Sequence, residues 1–540
     1  MRALILILAM CLQTLPAAAA QHDDRLLRQR IEAHIGFLAD DLLRGRQPGT
    51  PGYRVAAAYV ESHFRQLGLG PAGDRGSYLQ QVPLRRAWLV QDSAGMSYEG
   101  PGEAVRFAWV DQFFMRPSKS HTRSDLTADL VFVGYGIDAP ALGYSDYSGV
   151  DARGKVVVML AGQPHDFPSE EGAHFASGRQ KAAAAMASGA VGMIKVHTPR
   201  RDRRQSWDRV RNLVGAPAMG WLDADGEVFA SPRQLKASAT LHYEAAAVLF
   251  EQAQLSLDQV LARDDSGDAL PAFALQGTIR LAQASRHETI SSPNVAAVLA
   301  GSDPLLNGEF IVYTAHLDHL GELEGGGHDD PINNGALDNA SGIGVMLETA
   351  RLLSGGEAPR RSVLFLAVTA EEKGLVGSEY FAHHPTVPAA ALAGVINLDM
   401  PLLLYDFGDV IAFGAQHSTL GAAVQQAADE AGVELTPDPF PEQNLFVRSD
   451  HYRFVQRGVP AIFLVTGMKS RDGQVDTQPI FEGFLREHYH KPSDDVRLPI
   501  DYDAAARFTR INARIGEIIA NRLERPDWHE GDFFGETFGR

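Results

Sequence analysis

The stretch SVLFLAVTAEEKGLVGSEYF, residues 362–381, joins a strand pattern to a pair of acids. Residues 363–369 are a run of apolar and β-branched side chains, which is typical of a buried strand. Ala370 follows, and then two adjacent glutamates, Glu371 and Glu372. Glutamate is rarely buried without a partner, and neighbouring carboxylates repel each other. A core strand that ends on two acids therefore needs an explanation from the rest of the chain.

The composition of the whole chain is that of a large soluble enzyme. Its 540 residues are too many for one hydrophobic core, so two or three domains are expected. Hydrophobic residues make up 45% and charged residues 21%, which is ordinary for globular proteins. The formal net charge of −18 argues against nucleic acid as a partner, because no basic stripe is available to neutralise phosphates.

Residues 1–20, MRALILILAMCLQTLPAAAA, have the pattern of a secretory signal peptide. One arginine precedes a short apolar run, and small residues lead to a cleavage position near Ala20. The apolar run is shorter than the ~20 residues that span a bilayer, so no membrane span is expected after signal removal. The only cysteine, Cys11, lies in this segment. We therefore predict an exported protein, periplasmic or extracellular, without disulfides.

The pattern of the mature chain changes twice. Residues 24–69 show helical periodicity around the Gly/Pro-rich link GRQPGTPG. From about residue 127, short strands and one helix (GKVVVMLAG, SGRQKAAAAMASGA, VGMIKVH) predict a β-domain with βαβ content. From about Pro293 to residue 524, strands and helices alternate. This last region is therefore predicted to be an α/β fold, with a mostly parallel sheet between two layers of helices.

Polar side chains follow one strand after another in this last region. The ends of such strands meet at one edge of the sheet, where ligands bind. Several carboxylates and imidazoles that converge there destabilise the fold unless cations neutralise them. With no thiolate available, imidazole plus carboxylate suits zinc, and a shared carboxylate suits two ions. The residues concerned are His316, Asp318, Asp338, Glu371, Glu372, Asp399 and His490.

Each of these residues, taken alone, also has a purely structural interpretation. Asp338 could cap a helix, and His316 could be a buried histidine with its hydrogen bonds satisfied. The paired glutamates could be an acidic first turn of a helix, which the helix dipole favours. Repetition at strand after strand is what favours the metal site. Other histidines, on polar loops or helix ends, are interpreted as solvated: His328, His383, His384, His417 and His488.

Six motifs of this region resemble those of the M28-type zinc peptidases, which include leucine-type aminopeptidases and the glutamate carboxypeptidase group. The match covers about 290–525, with a helical lead-in at 25–85. The middle region resembles an inserted protease-associated (PA) domain. The resemblance implies a three-layer zinc exopeptidase domain with a mostly parallel or mixed sheet, and a β-rich insert. The six motifs are AHLDHLG, GALDNASG, TAEEKGLVGS, NLDM, SDHYRF and HYHKPSDD.

The resemblance further implies two Zn²⁺ ions per chain. Asp338 would bridge both ions, and its peptide bond to Asn339 is expected to be cis. Asp318, two residues from His316 on the same side of an extended chain, would support that imidazole. The implied zinc ligands are His316, Asp338, Glu372, Asp399 and His490.

The paired acids of the opening stretch then receive different roles. Glu372 would be held ionised by zinc. Glu371 would stay free as the general base, taking a proton from the attacking water and passing it to the leaving amine. Tyr489 would stabilise the developing oxyanion.

The predicted domain boundaries follow from these patterns. They are a signal peptide at 1–20, the N-terminal part of the peptidase domain at 21–125, the PA-like insert at 126–285, the peptidase domain with the metal site at 286–525, and a C-terminal tail at 526–540.

The sequence favours an exported aminopeptidase acting on peptides. An aminopeptidase holds an α-ammonium, and the segment that precedes and includes SDHYRF is rich in acids. A carboxypeptidase of the glutamate carboxypeptidase type needs only one well-placed guanidinium, such as that of Arg448. A one-zinc glutaminyl cyclase and a non-catalytic PA-domain binding protein also remain open. The charged residues of the segment are Asp406, Asp409, Asp438, Glu442 and Asp450 against Arg448 and Arg453.

Overall fold

The computed structural model describes residues 23–203, 205–211, 214–230, 233–323, 329–440 and 443–539. The predicted signal peptide with Cys11, and also His328 and Glu442, lie outside the described residues. No helix within the described ranges is long and apolar enough to cross a membrane.

Helices and strands alternate through most of the chain. The α-helices are α1 (23–38), α2 (Pro51–Gln66), α3 (Ser169–Ala176), α4 (Gly178–Ala187), α5 (Pro199–Asp202), α6 (Trp207–Arg211), α7 (Tyr243–Ala246), α8 (Leu257–Ser266), α9 (Ser341–Ser354), α10 (Val376–His383), α11 (Leu420–Ala431), α12 (His451–Val455), α13 (Gln478–Glu487), α14 (Tyr502–Asn521) and α15 (Phe533–Phe538). The strands are β1 (Gly70–Pro71), β2 (Leu79–Leu89), β3 (Gly95–Glu99), β4 (Val105–Arg106), β5 (Phe113–Phe114), β6 (Arg123–Val133), β7 (Asp138–Ala139), β8 (Tyr144–Ser145), β9 (Val156–Leu160), β10 (Gly192–His197), β11 (Ala218–Trp221), β12 (Ala237–His242), β13 (Ala272–Leu299), β14 (Phe310–His316), β15 (Gly321–Glu322), β16 (Ile332–Asn333), β17 (Ser362–Val368), β18 (Leu392–Asn397), β19 (Asp409–Phe413), β20 (Glu434–Thr436) and β21 (Ala461–Thr466).

The first compact unit is built on a mixed sheet. Its strands pair in the order β1, β13, β17, β14, β18, β21, β19, β20. The central strands β17, β14, β18 and β21 are parallel, whereas β13 and β19 run antiparallel to their neighbours in that group. The α/β architecture with a mostly parallel, mixed sheet is confirmed.

Burial explains why the central strands read as continuous apolar runs. Every residue of β17 and β18 is buried, and so are all but the first of β14. Helices α1, α2, α9, α11 and α14 pack with alternate strand residues into one core. Since successive side chains of a strand point to opposite faces, full burial requires cover on both faces of the sheet.

The second unit has its own sheet and core. Its strands pair in the order β4, β3, β13, β6, β9, β10, β12, β5, with β6, β9, β10 and β12 parallel. A separate cluster of buried apolar side chains lies around these strands. The identity of this unit as a PA-type domain stays a prediction.

The compact units divide the chain at positions other than the predicted insert boundaries, 126 and 285. One unit comprises residues 83–290 with 440–447, and the other comprises the chain up to Val82 with 291–439 and 448–540. Residues 83–125 join the second unit because β3 and β5 pair there with β13 and β12. Strand pairs between distant segments are not visible in local sequence patterns.

The C-terminal tail packs on the first unit. Phe534 of α15 is fully buried, and the Trp528 indole donates to the Gly458 carbonyl at 3.1 Å. His417, which we interpreted as solvated, is instead buried and pairs with Asp532 through Nδ1 at 2.5 Å. That interpretation was wrong, because a partner 115 residues away cannot be seen in the local pattern.

Candidate metal centre

The predicted site residues converge at one edge of the first sheet. His316 is the last residue of β14, and the paired glutamates lie just after β17. Asp399 lies just after β18, and Asp338 lies in a π-helical turn, Ala336–Ala340, directly before α9. These positions are the carboxyl ends of parallel strands and the loop into a helix, as the sequence pattern predicts. His490 differs, because it lies in the turn after α13 rather than at a strand end.

One group of ligand atoms forms around His316, and we call His316, Asp338 and Asp399 the first half-site. The His316 Nε2 atom lies 3.2 Å from Asp338 Oδ1 and 3.1 Å from Asp399 Oδ1. The imidazole is oriented by its other nitrogen, since Nδ1 lies 3.1 Å from the backbone oxygen of Asp318. The Ser449 hydroxyl donates to Asp399 Oδ2 at 2.5 Å and thereby fixes the second oxygen of that carboxylate.

A second group forms on the other side of Asp338, and we call His490, Asp338 and Glu372 the second half-site. The His490 Nε2 atom lies 3.2 Å from Asp338 Oδ2 and 3.2 Å from Glu372 Oε2. Asp338 therefore presents one carboxylate oxygen to each imidazole. A carboxylate between two imidazoles, with a separate oxygen facing each, is the arrangement of a ligand that bridges two ions.

These distances are close to those between the ligands of a zinc ion. Two atoms bound at about 2.0–2.2 Å to one tetrahedral zinc ion lie roughly 3.3–3.5 Å apart. The four imidazole–carboxylate separations of the half-sites are 3.1–3.2 Å. The Asp338 Oδ2 and Glu372 Oε1 atoms are buried without a well-aligned hydrogen-bond donor among the described residues. The donor set and its spacing therefore suit one divalent ion per half-site.

The loop that carries Asp338 is held by Asp494. The two carboxylate oxygens of Asp494 accept from the backbone amides of Leu337 at 2.9 Å and Asp338 at 3.0 Å. Burial raises the pKa of Asp494 to about 6, and hydrogen bonds from these amides oppose that shift. The peptide bond between Asp338 and Asn339 is cis, which confirms the expectation from the sequence.

Asn339 ties this loop to the segment that carries Asp399. Its side-chain amide donates to the Leu398 carbonyl at 2.9 Å, and its side-chain oxygen accepts from the Met400 amide at 3.1 Å. The same oxygen accepts from the Gly342 amide in the first turn of α9. A Cβ at position 342 would lie 2.1 Å from that oxygen, so glycine is required there.

Asp318 supports the paired glutamates rather than the His316 ring directly. One carboxylate oxygen accepts from the Glu371 amide at 3.0 Å, and the other lies 3.4 Å from the Glu372 amide. Its contact with His316 is made by the backbone oxygen. Burial raises the pKa of Asp318 to about 7, and the nearby His316 opposes that shift.

Arg46 is a buried positive charge that contacts the backbone of segments next to the site residues. Its guanidinium donates to the backbone oxygens of Leu317 at 2.9 Å, Asn334 at 2.6 Å and Gly335 at 3.1 Å, and also to that of Leu38. Burial lowers the pKa of Arg46 to about 10, so the group remains charged at neutral pH. The carboxylates that oppose this shift are those of Asp494, Asp318, Asp338 and Glu372.

The two adjacent glutamates have different surroundings. Burial would raise the pKa of Glu372, but His490 and His319 lower it below the ordinary value. Burial and the carboxylates of Asp399 and Glu372 raise the pKa of Glu371 well above its ordinary value, although His316 opposes the shift. Glu371 stands 4.0 Å from His316 Nε2, farther than the half-site carboxylates. A divalent cation bound here would lower the pKa of each neighbouring carboxyl group.

The Tyr489 ring lies against the ring of His490, with 3.8 Å between the centroids. Burial raises the pKa of the Tyr489 phenol far above its ordinary value, and Arg448 opposes that shift. The hydroxyl therefore keeps its proton at neutral pH and remains a hydrogen-bond donor.

Some charged residues of the acid-rich segment pair with other residues of the chain and are not available to bind a substrate. Asp406 pairs with Arg507, and Asp409 accepts from the Thr436 hydroxyl at 2.7 Å. Arg453 donates to the Gly374 carbonyl at 3.1 Å.

Four residues of the site were not singled out from the sequence. His319 was visible in AHLDHLG, three residues after His316, and Asp494 in HYHKPSDD. Ser449 was likewise visible in SDHYRF, whereas nothing local marks Arg46, whose contacts come from distant segments. The four are Arg46, His319, Ser449 and Asp494.

Comparison with known proteins identifies one domain of the chain. Residues 294–515 match the sequence model of Peptidase family M28. The chain carries an M28 peptidase domain. It is similar to the aminopeptidase YwaD of Bacillus subtilis, with 26% identity over 372 residues that cover 67% of this chain and 62% of the relative. The probable leucine aminopeptidase 2 of Aspergillus fumigatus is 29% identical over 184 residues, which cover 32% of this chain and 36% of the relative.

The solved structure of an aminopeptidase from Aneurinibacillus sp. strain AM-1 has the same fold as this chain. The TM-score is 0.54 with 20% sequence identity, and the match covers 92% of this chain and 95% of that one. The chain spans less than two thirds of the length of the two curated relatives named above.

Proposed function

We propose that this chain is a zinc-dependent exopeptidase that holds two zinc ions and removes residues from the amino end of peptides. The observation that carries the proposal is the carboxylate of Asp338, whose two oxygens each face a different imidazole at 3.2 Å. Each imidazole has one further carboxylate partner, Asp399 or Glu372. His316, Asp338 and Asp399 would hold one ion, and His490, Asp338 and Glu372 the other.

The ions, when bound, would lower the pKa of water and polarise the substrate carbonyl. The side chains transfer the proton and stabilise the developing negative charge. Glu371 takes a proton from the attacking water and delivers it to the leaving amine, for which a carboxylate outside the ligand set is required. The Tyr489 phenol, which stays protonated, donates a hydrogen bond to the developing oxyanion. The Asp318 carboxylate holds the amides of the turn on which Glu371 stands.

The amino end of the substrate is favoured by the aminopeptidases among the relatives, and an α-ammonium would need a carboxylate outside the proposed ligand set. The acids at 406 and 409 do not supply this carboxylate, since they pair elsewhere. Export is proposed from the signal-like residues 1–20, and a PA-type insert from the βαβ content of residues 126–285.

The division of labour between the adjacent glutamates is tested by two matched variants. Glu371→Gln should keep two zinc ions per chain while kcat falls by about 10²–10⁴, the usual contribution of a positioned general base. Glu372→Gln should lose zinc as well as activity. Metal content measured by mass spectrometry, together with peptide hydrolysis, gives both readouts. Equal zinc content in the two variants would show that their roles are not divided in this way.

The end of the peptide that is trimmed is tested with three versions of one peptide: free, N-acetylated and C-amidated. Acetylation should abolish hydrolysis, because it removes the α-ammonium, and amidation should have little effect. In a carboxypeptidase, the Arg448 guanidinium would bind the C-terminal carboxylate of the peptide, and amidation would then abolish hydrolysis. Cleavage of the acetylated peptide at its carboxyl end would assign a carboxypeptidase and leave the zinc site standing.

A further inference from the structure

His319 lies inside the second half-site, although the proposed ligand set does not include it. Its ring is fully buried, and Nδ1 lies 2.7 Å from Glu372 Oε1. Neither atom has a well-aligned hydrogen bond among the described residues, so each is a buried polar group with the other as its nearest partner. A Cβ at Gly335 would lie 2.7 Å from the His319 ring, so the ring is confined on that side by backbone.

The distance from each imidazole to the Glu372 carboxylate indicates whether that imidazole binds the ion or only holds the carboxylate by a hydrogen bond. Two ligands of one tetrahedral zinc ion lie roughly 3.3–3.5 Å apart, whereas an N–H donor and a carboxylate oxygen lie about 2.7–2.9 Å apart. His490 lies 3.2 Å from the Glu372 carboxylate, on Oε2. His319 lies 2.7 Å from it, on Oε1. The His490 spacing is therefore closer to that of a co-ligand, and the His319 spacing is that of a hydrogen-bond donor, although His319, Asp338 and Glu372 also lie close enough together to hold an ion.

The first half-site has an equivalent arrangement. There, Asp399 Oδ1 faces the ligand imidazole of His316, while Oδ2 accepts from the Ser449 hydroxyl. In the second half-site, Glu372 Oε2 faces the imidazole of His490, while Oε1 faces His319. Each terminal carboxylate thus has one oxygen directed to the ion position and the other beside a buried side chain.

We propose that His319 is a positioning residue of the second half-site. With a small rotation that aligns its Nδ1–H group, the imidazole donates to Glu372 Oε1, and this bond keeps Oε2 directed between Asp338 and His490. The inference rests on the proposed two-zinc function. It predicts that loss of the donor weakens zinc binding at the second half-site and leaves the first half-site unchanged.

The test is a competition titration of zinc against a chelator of known affinity, with the full chain and its variants. His319→Leu removes the donor and should weaken one of two zinc sites by about 10–100-fold, as for partners that orient metal ligands. His319→Asn keeps an N–H group near the position of Nδ1 and should recover most of that affinity. Ser449→Ala should weaken the other site instead. Cobalt substitution gives a second readout, because absorption of the ion at the altered half-site should change.

His417→Leu is the matched control. It also removes a buried imidazole of the same unit, one that is paired with the carboxylate of Asp532 in the C-terminal tail. It should leave both zinc affinities unchanged even where thermal stability falls. Equal loss of zinc in His417→Leu and His319→Leu would assign the effect to general destabilisation and overturn the inference.

Two further results would overturn the inference while leaving the proposed function intact. Wild-type zinc affinity in His319→Leu would show that Glu372 needs no support. Retention of two ions by His490→Ala, with loss of one by His319→Leu, would make His319 the ligand itself. Fewer than two ions in the wild-type chain would instead contradict the two-zinc function.

Discussion

The two half-sites share Asp338 but are built from different kinds of backbone. The first has its imidazole, His316, at the end of a buried strand, with 1% of the side chain exposed. The second has its imidazole, His490, in a turn at φ 61°, with 22% of the side chain exposed. In the first half-site both residues other than Asp338 lie at the ends of strands of the sheet, whereas in the second the imidazole lies in an exposed turn. We therefore expect a tight site and a weaker, more readily exchanged site within one centre.

The largest effect should come from the residue that the half-sites share. Asp338→Ala removes a ligand of both ions, so we expect loss of both zinc ions and of all measurable hydrolysis. Zinc content after dialysis and peptide turnover are the measurements. Retention of one ion at the wild-type affinity would mean that Asp338 belongs to one half-site only and that the two half-sites share no ligand.

An intermediate effect should distinguish the two imidazoles. His316→Ala removes a ligand from a buried position, where water cannot easily replace it. The zinc affinity of the first half-site should therefore fall by more than ~10²-fold, which is a larger effect than for groups that only orient ligands. His490→Ala opens an exposed position where water can replace the imidazole, and we expect a smaller loss. Chelator competition on the two variants measures the difference. Equal losses would show that exposure of the imidazole does not set the affinity.

The smallest effect should come from Asp494, which holds the Asp338 loop that both half-sites share. Asp494→Ala removes the acceptor of two buried amides in the Asp338 loop, each worth about 1–3 kcal/mol when left unpaired. We expect a lower melting temperature and a loss of zinc affinity of about 10-fold in both sites alike. A loss confined to one site would show that the loop supports the half-sites unequally.

The sequence predicted which polar side chains come together because a simple rule governs them. Polar residues after buried parallel strands meet at one sheet edge, and the structure has His316, Glu372 and Asp399 at that edge. The same rule also gathered His490, but there its premise was wrong, because His490 follows a helix rather than a strand.

The supporting contacts could not be predicted in the same way. Arg46 donates to carbonyls of residues up to 289 positions away, and Ser449 reaches Asp399 across 50 positions. Such contacts exist only once the chain is folded. The same holds for the tail, where His417 pairs with Asp532 although its local sequence is polar.

The most direct test of the shared-carboxylate centre is anomalous diffraction at the zinc edge from crystals of the zinc-loaded protein. We predict two peaks, one on each side of Asp338, each within about 2.0–2.2 Å of its carboxylate and imidazole ligands. The first should lie among His316, Asp338 and Asp399, and the second among His490, Asp338 and Glu372. A single peak, or a second peak bound through His319 in place of His490, would contradict the account.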